Sequence, residues 1–197
     1  DLSSNTSPEL FSALGEMLGH EASTNSIWEL EGSDCFLTVS SNVTEGQNVV
    51  AVPIKKAVGN GASLIVIDPR ETELTRYADI WLRPIPGSEA ILIGGMIRVI
   101  FDESLDDHEF VSKHCANIDE FRNSLWGFDL IKVEHLTGIS QDQIREAARL
   151  FTRGQSSSTL FGLETVPSDL RYDCVRAMTS LAIITGNIGR PHTGLYP

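Results

Sequence analysis

The sequence is short of basic residues. Fifteen Lys and Arg stand against 27 Asp and Glu, a net charge of −12, and no Lys or Arg occurs before Lys55. No broad electropositive face can form near the N-terminus, which excludes nucleic acid and anionic membrane surfaces as expected partners. Long apolar runs are also missing: residues 64–67 and 90–93 are far below the roughly 20 that span a bilayer, and no signal peptide opens the chain. A soluble domain without direct membrane insertion is expected. The three cysteines, Cys35, Cys115 and Cys174, are odd in number and have no CxxC spacing, which argues against a disulfide framework and a structural zinc site and favours a reducing compartment, the cytoplasm. What remains is ordinary globular composition, 41% apolar and 21% charged over 197 residues. The chain begins at Asp1 and reads as a piece of something longer.

Ser7-Pro8-Glu9 predicts a helix start, with a hydroxyl to cap free N–H groups, a proline whose missing donor costs nothing at the first position and an acid at the positive dipole end. That helix is predicted to run to Leu18. A short segment over 26–32 precedes the apolar run 35–39, which reads as a buried strand. Residues 48–58 have helical composition, and Pro53 must start or kink that helix. Residues 64–67 are branched aliphatics, the mark of a parallel strand covered on both faces. A short helix over 71–78, a short strand over 80–82 and an apolar helix capped by Ser88 follow. Residues 102–155 read as a helical subregion, with helices over 108–114, 119–125 and 140–152. Ser140 and Gln143 form a capping-box pattern there, and Ile144, Ala147, Ala148 and Phe151 line one face. A fourth strand over 159–163 and a long helix over 168–185 complete the pattern, and Gly194 reads as a turn. Strands alternating with helices predict an α/β fold with a mostly parallel sheet.

In such a sheet, ligands sit beyond the carboxyl ends of the strands, where loops diverge and helix N-termini offer free N–H groups. Four such ends carry polar or glycine residues. Ser41, Asn42 and Thr44, with Glu45 beside them, offer hydroxyl, amide and backbone donors to a phosphate or ribose, or simply cap a helix. Asp68 can accept from a ribose diol and Arg70 suits a pyrophosphate, with Glu71 adjacent; the plainer reading is a surface ion pair. Gly87, Ser88 and Glu89 place a carboxylate beside a glycine turn, where it could accept from the N–H edge of guanine or favour a helix dipole. Gly162, Leu163 and Glu164 form the fourth end. Together these loops could frame one elongated, phosphate-containing ligand. No GxGxxG follows the first strand and no GxxxxGK[ST] exists. The five histidines are scattered, no metal-ligand spacing is present, and no Ser-His-Asp set or GxSxG elbow appears, so no catalytic residue is assigned.

The stretches Gly61-Ala62-Ser63-Leu64-Ile65-Val66-Ile67-Asp68-Pro69-Arg70-Glu71-Thr72, Pro86-Gly87-Ser88-Glu89, Ile144-Arg145-Glu146-Ala147-Ala148-Arg149 and Thr185-Gly186-Asn187-Ile188-Gly189-Arg190-Pro191, with Ser41-Asn42 and Thr44-Glu45, resemble the molybdopterin oxidoreductase family. The likeness is to the large (alpha) subunit of formate dehydrogenase and to the large subunit of respiratory complex I. The resemblance implies a three-layer α/β/α Rossmann-like domain that helps to hold a molybdopterin guanine dinucleotide with molybdenum or tungsten. It places the loop 41–45 at the pterin–pyrophosphate region, 68–71 and 87–89 at the guanosine end, and 162–164 beside the pterin. It also implies partners: other domains of the same polypeptide, electron-transfer subunits, an iron-sulfur cluster elsewhere in the parent chain and a small-molecule substrate. Two departures stand out. Asn5 occupies the position where relatives often carry a Cys or selenocysteine ligand, and an amide is a poor ligand for molybdenum. Pro167 stands where relatives often have glutamine. The chain alone is expected to be inactive, and a metal-free scaffold domain of an electron-transfer complex is the competing expectation.

Overall fold

The structure, a computed structural model, describes residues 8–46 and 48–197. The Ser7 cap and the Asn5 position therefore lie outside the described residues. The first helix, α1 (Pro8–Leu18), ends at Gly19, whose positive φ of 73° turns the chain away. A 3-10 turn over Ile27–Gly32 leads into β1 (Cys35–Val39). The short α2 (Val43–Gly46) and the longer α3 (Asn48–Gly59) return the chain to β2 (Ser63–Ile67). Pro53 sits inside α3, where it removes one backbone hydrogen bond.

Then come β3 (Ile80–Leu82), α4 (Glu89–Asp102) and four helices, α5 (His108–His114), α6 (Ile118–Ser124), α7 (Leu130–Thr137) and α8 (Gln141–Arg153). The chain finishes with β4 (Ser157–Phe161), α9 (Ser168–Ile184) and β5 (Gly194–Tyr196).

All four strand pairings are parallel, in the order β3-β2-β1-β4-β5. Alternate residues of each strand feed two cores. Leu37, Val39, Ile65, Ile67 and Phe161 pack with α1, α4, α8 and α9, while Phe36, Leu64, Val66 and Leu160 pack with α3 and the turn before β1. These are the three layers that the family resemblance implied. Both faces of the central strands are covered, which is why 35–39 and 64–67 are apolar without alternation. On α8 the capping box forms, with the Ser140 hydroxyl accepting from the Gln143 N–H, and Ile144, Ala147, Ala148 and Phe151 are fully buried.

Several sequence expectations are corrected. Residues 71–78 form only a single 3-10 turn, Leu74–Arg76, where the Thr75 hydroxyl donates to the Thr72 carbonyl. The fourth strand is Ser157–Phe161 rather than 159–163, because the serines that look like loop are buried and bonded. Ser157 Oγ donates to the Phe151 carbonyl at 2.7 Å, and Ser158 Oγ lies 2.8 Å from Ser33 Oγ. At its other end, Leu163 adopts a φ of 52° that a strand cannot accommodate. Gly194 opens β5 instead of a turn, and α7 was not foreseen. Ser88 stands at the N-cap of α4 but does not cap it; its hydroxyl donates backwards to the Ile85 carbonyl at 2.6 Å.

Candidate functional site

Because β1, β3 and β4 run parallel, the helices that follow them, α3, α4 and α9, all start at the same edge of the sheet. Their N–H ends face the space beyond Val39, Leu82 and Phe161. The strand order reverses between β1 and β4: β2 and β3 are added on one side of β1, then β4 and β5 on the other. Loops leaving β1 and β4 must diverge at that point, and this divergence opens the crevice in which α/β sheets bind ligands.

Side-chain contacts tie the four candidate loops together. Ser40, immediately after β1, is fully buried with a positive φ of 44°. Its hydroxyl donates to Glu89 Oε1 at 3.4 Å and accepts from Thr165 Oγ1 at 2.6 Å, while its carbonyl accepts from the Glu164 N–H at 3.0 Å. Ser40 thus joins the ends of β1 and β4 to the start of α4. Ser41 and Asn42 are half-buried beside it, and the Thr44 hydroxyl donates to Asn42 Oδ1 at 3.0 Å. At Gly162 a Cβ would lie 3.2 Å from Ser41 Oγ, so the absence of a side chain lets the β1 and β4 loops touch.

Beyond β2, Asp68 is only 1% exposed and fixes Arg70 with both carboxylate oxygens: Oδ1 accepts from the Arg70 N–H and Nε, and Oδ2 from Nη2. Trp81 Nε1 donates to the Asp68 carbonyl at 2.9 Å. Arg70 Nη2 also reaches Glu164 Oε2 at 3.1 Å, crossing the end of β1 to the β4 loop. The Asp68 pair is therefore half-buried rather than a plain surface pair, and the two carboxylates hold the Arg70 charge more firmly than usual.

Glu89 is fully buried. Its Oε2 accepts from the Gly87 N–H at 2.7 Å, stabilising the positive φ of 90° at Gly87, and Oε1 takes the Ser40 hydroxyl. Burial raises its pKa above the ordinary carboxylate value, against the pull of these N–H and O–H donors. The carboxylate lies beneath the 87–89 loop, and a base could reach it only by displacing Gly87 or Ser40. That loop rests on the start of α9, since a Cβ on Gly87 would meet Leu170 and Pro167. Glu45 and Glu71 stay outside this network: Glu45 is exposed, and Glu71 is exposed and paired with Arg76.

The predicted residues Ser41, Asn42, Asp68, Arg70, Gly87, Glu89, Gly162, Leu163 and Glu164 are thus gathered on one edge. Ser40 and Thr165, which hold that edge together, were not among the expected site residues: Ser40 opens the strand end 40–45 and Thr165 follows directly on the strand end 162–164, and that position was the local signal. Two wide grooves, of about 820 and 710 Å³, lie instead at the opposite edge, around Asp34 and Gln155. There α3 and α8 end, and the carbonyl ends of helices repel phosphate. Among the described residues no cluster of three His, Cys, Asp or Glu is placed to hold a metal. No helix among the described residues is long and apolar enough to cross a membrane.

Comparison with known proteins agrees with this architecture. Residues 2–196 match the molybdopterin oxidoreductase family. The chain belongs to that family. It is 37% identical over 184 residues to the alpha subunit of F420-dependent formate dehydrogenase 2 of Methanococcus maripaludis, covering 93% of this chain and 27% of that protein. It is 35% identical to formate dehydrogenase H of Escherichia coli, covering 93% and 26%. Among solved structures, acetylene hydratase from Pelobacter acetylenicus superposes with a TM-score of 0.75 at 29% identity, over 92% of this chain and 25% of that one. The chain therefore spans about a quarter of the length of these relatives. Family membership implies a molybdopterin cofactor. The donor set fits the phosphate-bearing part of such a group: hydroxyls and an amide at Ser41, Asn42 and Thr44, brought against the β4 loop because Gly162 has no side chain, and one cation, Arg70, in the four loops.

Proposed function

We propose that this domain holds molybdopterin guanine dinucleotide along the carboxyl edge of its sheet, within a formate-dehydrogenase-like oxidoreductase. The observation that carries the reading is the convergence of the four loops, joined through Ser40, Arg70, Glu89 and Glu164, at the point where the strand order reverses. In this reading Ser41, Asn42 and Thr44, with Glu45 at the rim, bind the pterin–pyrophosphate region, and Gly162 and Leu163 lie beside the pterin, with the Glu164 side chain reaching from that loop to Arg70 at the pyrophosphate. Asp68 and Arg70, with Glu71 outside them, and the backbone edge of Gly87 and Ser88 receive the guanosine end, and Glu89 shapes that loop from below.

When bound, the metal-bearing cofactor supplies two-electron chemistry on a small substrate. The chain's own part is positioning: Arg70 meets phosphate charge, Asn42 and Ser41 fix the register, and the Ser40–Glu89 contact holds the β1 loop against the start of α4. The substrate, the iron-sulfur centres and the electron-transfer subunits belong to the rest of the parent protein in this reading.

The test is the pterin and metal content of the full-length polypeptide. Stoichiometric molybdenum or tungsten with a guanine-bearing pterin, and its loss in Arg70→Ala, supports the proposal. A second reading, the metal-free scaffold, is favoured by one observation: the charge of Arg70, the sole basic residue of these loops, is already balanced by Asp68 and Glu164. Absence of both metal and pterin from the purified full-length protein would select it.

A further inference from the structure

We infer that Glu164 is a gate on the anion-binding face of Arg70, so that a ligand enters this edge only if it carries enough negative charge to displace a carboxylate. The inference rests on the reading of the edge as a pyrophosphate site. A guanidinium presents two edges at which a planar anion can take two N–H groups. Asp68 occupies the first, through Nε and Nη2. The second consists of Nη1 and the remaining N–H of Nη2. Glu164 takes that Nη2 hydrogen at 3.1 Å, and Nη1 has no hydrogen-bond partner among the described residues. Half of the face that a phosphate would use is thus filled by the protein's own carboxylate.

The two acids differ in how firmly they hold. Asp68 is 1% exposed and also accepts the Arg70 backbone N–H, so it is a fixed part of the loop. Glu164 is 48% exposed and Arg70 43%, and an ion pair so open to water is weak and easily exchanged. Asp68 aims the guanidinium, and Glu164 covers it. The Glu164 backbone is itself anchored: its N–H donates to the Ser40 carbonyl, and Leu163 before it holds a positive φ. Only the side chain has to swing away when a stronger anion arrives. The arrangement selects a pyrophosphate over a neutral nucleoside, because only the former replaces the charge that Arg70 gives up.

The test is calorimetric titration of guanosine diphosphate and of guanosine into the cofactor-free full-length polypeptide, as wild type, Glu164→Gln, Arg70→Ala and the double variant. Glu164→Gln should bind guanosine diphosphate about three- to tenfold more tightly, as expected for release of one exposed ion pair together with one like charge. Binding of guanosine should not change, and the gain should vanish in the double variant. Equal or weaker guanosine diphosphate binding by Glu164→Gln, with binding lost in Arg70→Ala, would overturn the gate and leave the site standing. A gain shared equally by guanosine would also overturn it, since loop rearrangement rather than charge would then be the cause. If neither wild type nor Glu164→Gln binds guanosine diphosphate, the pyrophosphate reading of the edge fails and the gate falls with it.

Discussion

Replacing Glu89 tests the interior of the edge rather than its surface. In Glu89→Ala the Gly87 N–H loses its acceptor, and because Gly87 is held at a φ of 90° it cannot turn to another. The Ser40 hydroxyl also loses its acceptor, but its 2.6 Å pair with Thr165 can reverse, Ser40 donating while the half-exposed Thr165 hydroxyl turns to water. One half-buried donor is therefore left without its protein partner, a cost of about 1 kcal/mol, the low end of what a buried donor loses.

The pH dependence has a definite sign. Burial raises the folded-state pKa of Glu89, with nearby Asp68 pushing the same way, so the folded protein binds this proton more tightly than the unfolded chain does. The stability that this proton confers is complete below the unfolded carboxylate range of about 4.3 and is lost as pH rises through the folded-state pKa. Above it, wild type carries a buried charge that neither Ala nor Gln has. The penalty of Glu89→Ala should accordingly be largest at low pH and shrink as pH rises, so that it is greater at pH 5 than at pH 8. Glu89→Gln, whose amide oxygen can still accept from Gly87, should gain on wild type over the same interval. Thermal melting of the three proteins across this range is the assay. A penalty below about 0.5 kcal/mol at pH 5, or one that grows with pH, would refute the account.

Two further outcomes concern the scaffold. Gly94→Ala in the middle of α4 should destabilise by about 1–3 kcal/mol in urea unfolding although Ala normally favours a helix, because the added Cβ would overlap the Phe128 ring; a stabilised variant would show that the α4 contact with Phe128 is loose. Ser140→Ala removes the hydroxyl that accepts from the Gln143 N–H and should cost about 1 kcal/mol, read as a lower melting midpoint, whereas Gln141→Ala, at a position without a part in that cap, should cost less.

The central strands and α8 were legible because their signals are local. Residues 64–67 are aliphatic because helices cover both faces, and the Ser140 capping box spans four residues. The start of β4 was hidden because Ser157 and Ser158 look like loop until Phe151, six residues earlier, and the more distant Ser33 and His192 supply partners. In the same way, the candidate loops could be named from their place after strands, but the roles within them could not. Nothing near Glu89 in sequence says that its carboxylate turns inward to Ser40, 49 residues away, and nothing near Arg70 says that Glu164 will meet it. Ser40 itself was obscured because a serine with a positive φ is uncommon and has no sequence signature.

The relatives give a last constraint on what this edge does. Proteins named for dehydrogenation of formate and for hydration of acetylene share this domain with the present chain at 37% and 29% identity. A fold common to proteins named for two such different reactions does not by itself choose between them. If the loops act as we propose, Asn42→Ala in the full-length protein should lower cofactor content, because it removes the amide that orients Thr44 and the start of α2. Activity per mole of retained pterin should then stay within about twofold of wild type, since uniform binding is lost without any effect on the transition state. Full cofactor content with a collapse in activity per pterin would mean instead that this edge reaches the reacting atoms, and the division between holding and chemistry would have to be abandoned.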